Sequence, residues 1–184
     1  MSGLTLAANK GIHATGPNTL ATHDLTPAGR ALVALAGSSG AKVPVITGAG
    51  TAALRDIVGS VGQAGGVPTG AIVERGANAN GEYVRFADGT QICTKTLTGL
   101  GPVSLAWGNV FWNNTTHVVG AWAAPFAEAP SRAASREGGS GANVIISLSN
   151  AGTTTAGGAV LMVSGVSSAA TDYVVRVVAT GRWF

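Results

Sequence analysis

The chain has 184 residues, of which 46% are apolar and only 10% charged, with a formal net charge of +3. That length holds one sizeable domain, or a smaller one with an attachment region. The charge content is far below the ~25% of ordinary globular domains, so either surface Ser, Thr, Asn and Gly keep the chain wet or sister copies cover much of it, and a mixture with prominent oligomerisation is expected.

Eleven Lys and Arg are scattered without a basic run, so no surface for nucleic acid is expected. Each of the 28 glycines would weaken a helix interior by ~1 kcal/mol, which argues against a mostly helical protein.

Residues 1–23 show no sustained period and read as an extended or irregular strap. Between Asp24 and Gly37 the pattern becomes helical. Thr26 suits an N-cap, Pro27 the first helical position, and Ala31 to Leu35 form an apolar run. A second short helix is predicted over Thr51 to Val58, with Leu54, Ile57 and Val58 on one face. Helices this short are marginal alone, so they are expected to pack around a threefold axis or against a neighbour. Gly59 to Gly70, with four glycines before Pro68, reads as a flexible linker between an N-terminal region (1–69) and a β domain (70–184).

Gly70 to Cys93 gives three alternating runs joined at Asn80-Gly81 and Asp88-Gly89, a β-meander. Short apolar runs then recur at 103–107, 117–122, 143–148, 159–163 and 173–179, the spacing of a sandwich or barrel. Val144, Ile146 and Leu148 share one face, and the run at 159–163 is apolar on both, as an interior or interface strand would be. No heptad seam or long repeat is read, so neither a coiled coil nor a solenoid is expected.

The single cysteine, Cys93, excludes an intrachain disulfide and reads as a small buried strand residue. No secretory signal and no ~20-residue apolar span is expected from the sequence. Arg182 and Thr180 interrupt the alternation back from Phe184, which argues against a lipid-facing barrel strand. No membrane insertion is expected.

Among the eight carboxylates only Glu74 and Glu82 could be drawn together by a hairpin, and pairing of Glu74 with an arginine is the plainer reading. His13, His23 and His117 show no metal-ligand spacing. His117 is the best placed to meet its own copies on a threefold axis, but a satisfied or solvent-facing histidine is the default. No nucleophile elbow or phosphate loop occurs. No catalysis, metal or cofactor is expected. Trp107 and Trp122 read as core. Trp112, Asn113 and Asn114, at a polar turn, are candidate binding residues, because ring faces stack on sugars while amides meet hydroxyls. The loop Ala133 to Ala142, where Arg132, Arg136 and Glu137 meet a Gly-rich tip, is a second candidate, with Arg136 and Glu137 as its binding residues.

The segment Glu74-Arg75-Gly76-Ala77-Asn78-Ala79-Asn80-Gly81-Glu82-Tyr83-Val84-Arg85-Phe86-Ala87-Asp88-Gly89-Thr90-Gln91-Ile92-Cys93 resembles one near the C-termini of many tailed-phage fibre and spike proteins. Thr26 to Leu32 with Ala53-Leu54-Arg55 more loosely resemble the collar upstream of such tips. Trp122 to Pro130 resemble their aromatic–Pro–Phe turn, and Gly181-Arg182-Trp183 their final strand.

The resemblance implies a mainly β protein with an antiparallel β-sandwich C-terminal domain, preceded by an extended segment with one or two short helices, assembled as a homotrimer. It implies a virion appendage on tail or capsid. The N-terminal part would dock on other virion proteins, and the β domain would contact a host-surface glycan or protein. A purely structural virion component, such as a head fibre or tail adaptor, is the alternative.

Overall fold

Lys10 meets Asp24 across a hairpin, and 32 residues further on Lys42 meets Asp56 in the same way. In the computed structural model, which describes residues 7–35 and 40–184, the chain falls into two units, Met1–Ile57 and Val58–Phe184.

In the first unit β1 (Lys10–Gly16) pairs antiparallel with β2 (Thr19–Asp24). A Lys10–Asp24 ion pair of 2.6 Å lies at the open end, and a Thr15–Thr19 hydroxyl bond of 3.2 Å at the turn. After α1 (Pro27–Val33), β3 (Lys42–Gly48) and β4 (Thr51–Asp56) repeat the hairpin. Lys42–Asp56 lies at 2.5 Å and Thr47–Thr51 at 3.0 Å, with the bulge again just before the glycine. The unit therefore holds a tandem repeat, contrary to the sequence reading of none.

Two local expectations change with it. Residues 10–24 are a hairpin rather than a strap, and Thr51 to Asp56 are strand rather than helix. A helix of two turns is marginal alone, whereas pairing to β3 satisfies the β4 backbone at once. The helix α1 starts as expected. The Thr26 hydroxyl accepts from the Gly29 amide at 3.1 Å, and Pro27 occupies the first turn. The helix ends at Val33 with Ala34 as C-cap, short of the predicted Ala34–Leu35, while residues 36–37 of the prediction, like residues 1–6 of the strap, lie outside the described residues.

None of the described residues of this unit is buried. Ile12, Leu20, Leu32, Val33, Val43, Ile46 and Ile57 stay exposed.

The second unit starts with β5 (Val61–Ala64) and β6 (Val67–Gly70), a tight hairpin where the sequence suggested a linker. Gly65 and Gly66 form its two-residue loop with φ of +57° and +81°, both positive as such a turn requires. Glycines that would loosen a linker here close a hairpin.

Then β7 (Val73–Asn78), β8 (Gly81–Phe86) and β9 (Thr90–Leu100) form the predicted meander. Gly81 and Gly89 supply positive φ, +121° and +93°, while Asn78 and Asp88 accept backbone bonds from Asn80 and Thr90 at 2.8 Å.

The remaining strands are β10 (Val103–Trp107), β11 (Val110–Asn113), β12 (His117–Val118), β13 (Ser131–Gly138), β14 (Ile145–Ser149), β15 (Ala159–Ser164) and β16 (Tyr173–Arg182). Two five-stranded antiparallel sheets result. One runs β13-β16-β9-β8-β7. The other runs β10-β11-β15-β12, with β14 paired to β15.

Both sheets feed one hydrophobic cluster. Cys93, Tyr173, Val175, Val177 and Ala179 come from the first, and Val103, Val160 and Met162 from the second, joined by Val119, Trp122 and Phe126. The interior placing of β15, the shared face of Val144, Ile146 and Leu148, and the burial of Cys93 all agree with the sequence.

Trp183 closes the chain over the β8–β9 turn, its amide donating to Gly89 O at 3.0 Å and its indole to Phe86 O at 2.9 Å.

Candidate functional site

The outer face of the β10-β11-β15-β14 sheet carries exposed Leu105, Trp107, Trp112 and Ile145. Trp107 is 60% and Trp112 37% exposed, with ring centroids 5.9 Å apart. The core assignment of Trp107 is thus corrected, while that of Trp122, 4% exposed, stands.

The reason is a bulge. Strict alternation would put Trp107 on the same face as Val103, which is fully buried. The register shifts between Val103 and Leu105, so the two outer residues of β10 turn away from the core. Asn114 holds that shift. Its Oδ1 accepts the Ser104 amide at 3.0 Å and its Nδ2 donates to the Ser104 hydroxyl at 3.0 Å.

Trp112, Asn114, Thr115 and Thr116 also line a small depression of about 130 Å³ beside β15. Two exposed indoles tilted by 41° to each other, next to hydroxyls and an amide, can stack on sugar C–H faces while the polar groups meet sugar hydroxyls.

Asn113 lines the same depression but is largely buried. It accepts from the Met162 amide at 2.8 Å and donates to Thr115 O at 2.5 Å, so it also joins β11 to β15.

Arg136 and Glu137 sit on β13, in the other sheet, and are not part of the Trp107–Trp112 face. The Arg136 guanidinium lies over the Tyr173 ring at 5.1 Å and donates to the carbonyls of Gly139 (2.6 Å), Ala142 (3.1 Å) and Gly141 (3.2 Å). Its donors are spent shaping the Gly-rich loop. Tyr173 supports the same loop through its hydroxyl, which donates to Ala142 O at 3.1 Å. Glu137 is exposed and accepts from Ser135 at 2.8 Å.

The outer face of that sheet mixes polar Glu82, Thr94, Thr96 and Arg176 with Val84, Ile92 and Val178. Above it lies a depression of about 380 Å³ lined in part by Glu82, Thr94, Thr96 and Arg176. Sequence alone did not single out Arg176, because only the β13–β16 register sets it opposite Ser135.

The register also disposes of the carboxylate pair. Glu74 stands opposite Arg85 and Glu82 opposite Ala77, so the two acids point to opposite faces of the hairpin. Glu74 accepts the Val61 amide at 2.9 Å and the Tyr83 hydroxyl at 2.8 Å, with Arg85 at 3.9 Å. Burial alone would raise its pKa, but these partners together hold it below the ordinary value.

His117 Nε2 accepts the Gly101 amide at 3.1 Å, and burial lowers its pKa, so it is a satisfied histidine. Among the described residues no group of three or more metal-ligating side chains gathers.

Compared with protein families, with curated proteins and with solved structures, the chain shows no match.

Proposed function

We propose that the chain is a fibre or spike subunit of a tailed-phage particle. In this reading it is a homotrimer whose N-terminal region docks on other virion proteins. Its β-sandwich domain contacts a host-surface glycan or protein through the Trp107–Trp112 face.

One observation carries the assembly half of the proposal. Two repeated hairpins and a seven-residue helix hold no buried side chain among the described residues, yet expose seven large apolar ones. A lone two-stranded hairpin is marginal in water, so such a unit needs another chain to cover it. The low charge content points the same way.

The adhesion half rests on the resemblance of residues 74–93 and on the exposed indole pair beside Ser104, Asn114 and Thr115. A purely structural virion component is favoured equally by the first unit, which speaks to assembly and not to adhesion.

Competition for host adsorption separates the two. The full-length protein is expected to bind host cells and block phage attachment, and Trp107→Ala with Trp112→Ala to abolish the block while the oligomer persists. If the intact oligomer neither binds nor competes, the receptor role is abandoned and the structural one stands.

A further inference from the structure

We infer that the first hairpin carries a divalent transition-metal site built from His13 and His23, a site separate from the proposed host contact. The two residues are ten apart, so no local spacing announces them. The β1–β2 register makes them diagonal neighbours on one face, with His13 opposite Ala21 and His23 opposite Gly11.

Each imidazole therefore stands across from a small residue. Gly11 matters in particular, since a Cβ there would lie 2.6 Å from Cε1 and 2.8 Å from Nε2 of His23. With that space open, the rings meet edge to face at 5.1 Å between centroids, and their Nδ1 atoms approach to 3.2 Å.

That separation suits chelation. An ion held about 2.0–2.1 Å from both nitrogens, the usual zinc–imidazole distance, would subtend roughly 100–106° between them, close to tetrahedral. The neighbouring Asp24 carboxylate is taken by Lys10 at 2.6 Å, so the protein supplies two ligands and water completes the shell. Paired imidazoles suit Zn²⁺, Ni²⁺ and Cu²⁺, with Cu²⁺ bound most tightly. In the ion-free state the same geometry is an imidazole–imidazole hydrogen bond, in which one Nδ1–H donates to the other nitrogen.

The test is calorimetric titration of the full-length protein with Zn²⁺ and with Cu²⁺. One ion per chain is expected, with His13→Ala and His23→Ala each weakening binding by at least about tenfold, since even loss of an outer-shell partner costs about 10–100-fold in metal affinity. His117→Ala should leave binding unchanged. Glutamine replacements, checked by far-UV circular dichroism, separate ligand loss from unfolding.

Electron paramagnetic resonance of the Cu²⁺ form should show two imidazole nitrogens, reduced to one in either variant. Absence of saturable binding, equal binding by the folded variants, or loss of binding in His117→Ala would each overturn the site.

Discussion

Replacing Trp107 and Trp122 by alanine, one at a time, separates a surface platform from a core side chain. At 60% exposure Trp107 keeps about 40% of its area covered, roughly 100 Å² of the up to ~250 Å² a tryptophan can bury. At ~25 cal/mol per Å² that is at most about 2.5 kcal/mol, and an extended-chain reference overstates it, so about 1–2 kcal/mol is expected.

Trp122 is 4% exposed, packs edge to face on Phe126 at 6.0 Å, and donates its indole N–H to Thr153 O at 3.4 Å. Its removal leaves a core cavity and should cost about 3–5 kcal/mol. Urea unfolding at matched protein concentration, followed by circular dichroism, reads both, provided the m values agree. Equal losses would refute the bulge argument, because they would return Trp107 to the core.

The Glu74 carboxyl, held below its ordinary pKa in the fold, contributes stability at neutral pH. That contribution is lost as pH falls below the ordinary carboxylate value and through the folded one. Glu74→Gln should flatten this acid limb and cost about 1.5–3 kcal/mol at pH 7, the worth of hydrogen bonds to a charged group; an unchanged pH profile would rule the role out.

Gly81→Ala combines a positive φ with a Cβ that would collide with the Thr94 carbonyl oxygen. It should destabilise by at least ~2 kcal/mol in thermal unfolding, against under ~0.5 kcal/mol for Ala79→Ser in the same turn. Asn114→Ala strips the Ser104 amide and hydroxyl of their partner. A loss of about 1–2 kcal/mol is expected, with a change in tryptophan emission as the bulge relaxes; emission identical to wild type would mean that the bulge holds without Asn114.

Much of the second unit was readable from residues alone, because the meander is written in local signals: period-two alternation, then glycines where φ turns positive at Gly81 and Gly89. The same logic misled where a signal had two meanings. Gly65-Gly66 reads equally as a flexible joint and as a hairpin loop, and only pairing of Ala64 with Val67 decides.

The tandem hairpins leave little trace in the sequence, since their shared positions, Lys10 with Lys42, Thr15 with Thr47 and Asp24 with Asp56, are few and widely spaced. Alternation also says which residues share a face and not where a bulge reverses it, so the sequence pattern alone puts Trp107 inside. Of the candidate site, Trp112 on β11 belongs to the exposed aromatic pair, and Asn114 lies beside it. Asn113 and Arg136 turn out to be engaged by the fold, as polar side chains with several nearby backbone groups commonly are.

Completion of the first unit by other copies of the chain is the central feature of the proposed assembly. Light scattering on the full-length protein measures this directly. Each chain is 18.1 kDa, so a trimer of about 54 kDa is expected, with the amides of Lys10 to Asp24 protected from hydrogen exchange. A stable 18.1 kDa monomer in which those amides are equally protected would contradict it.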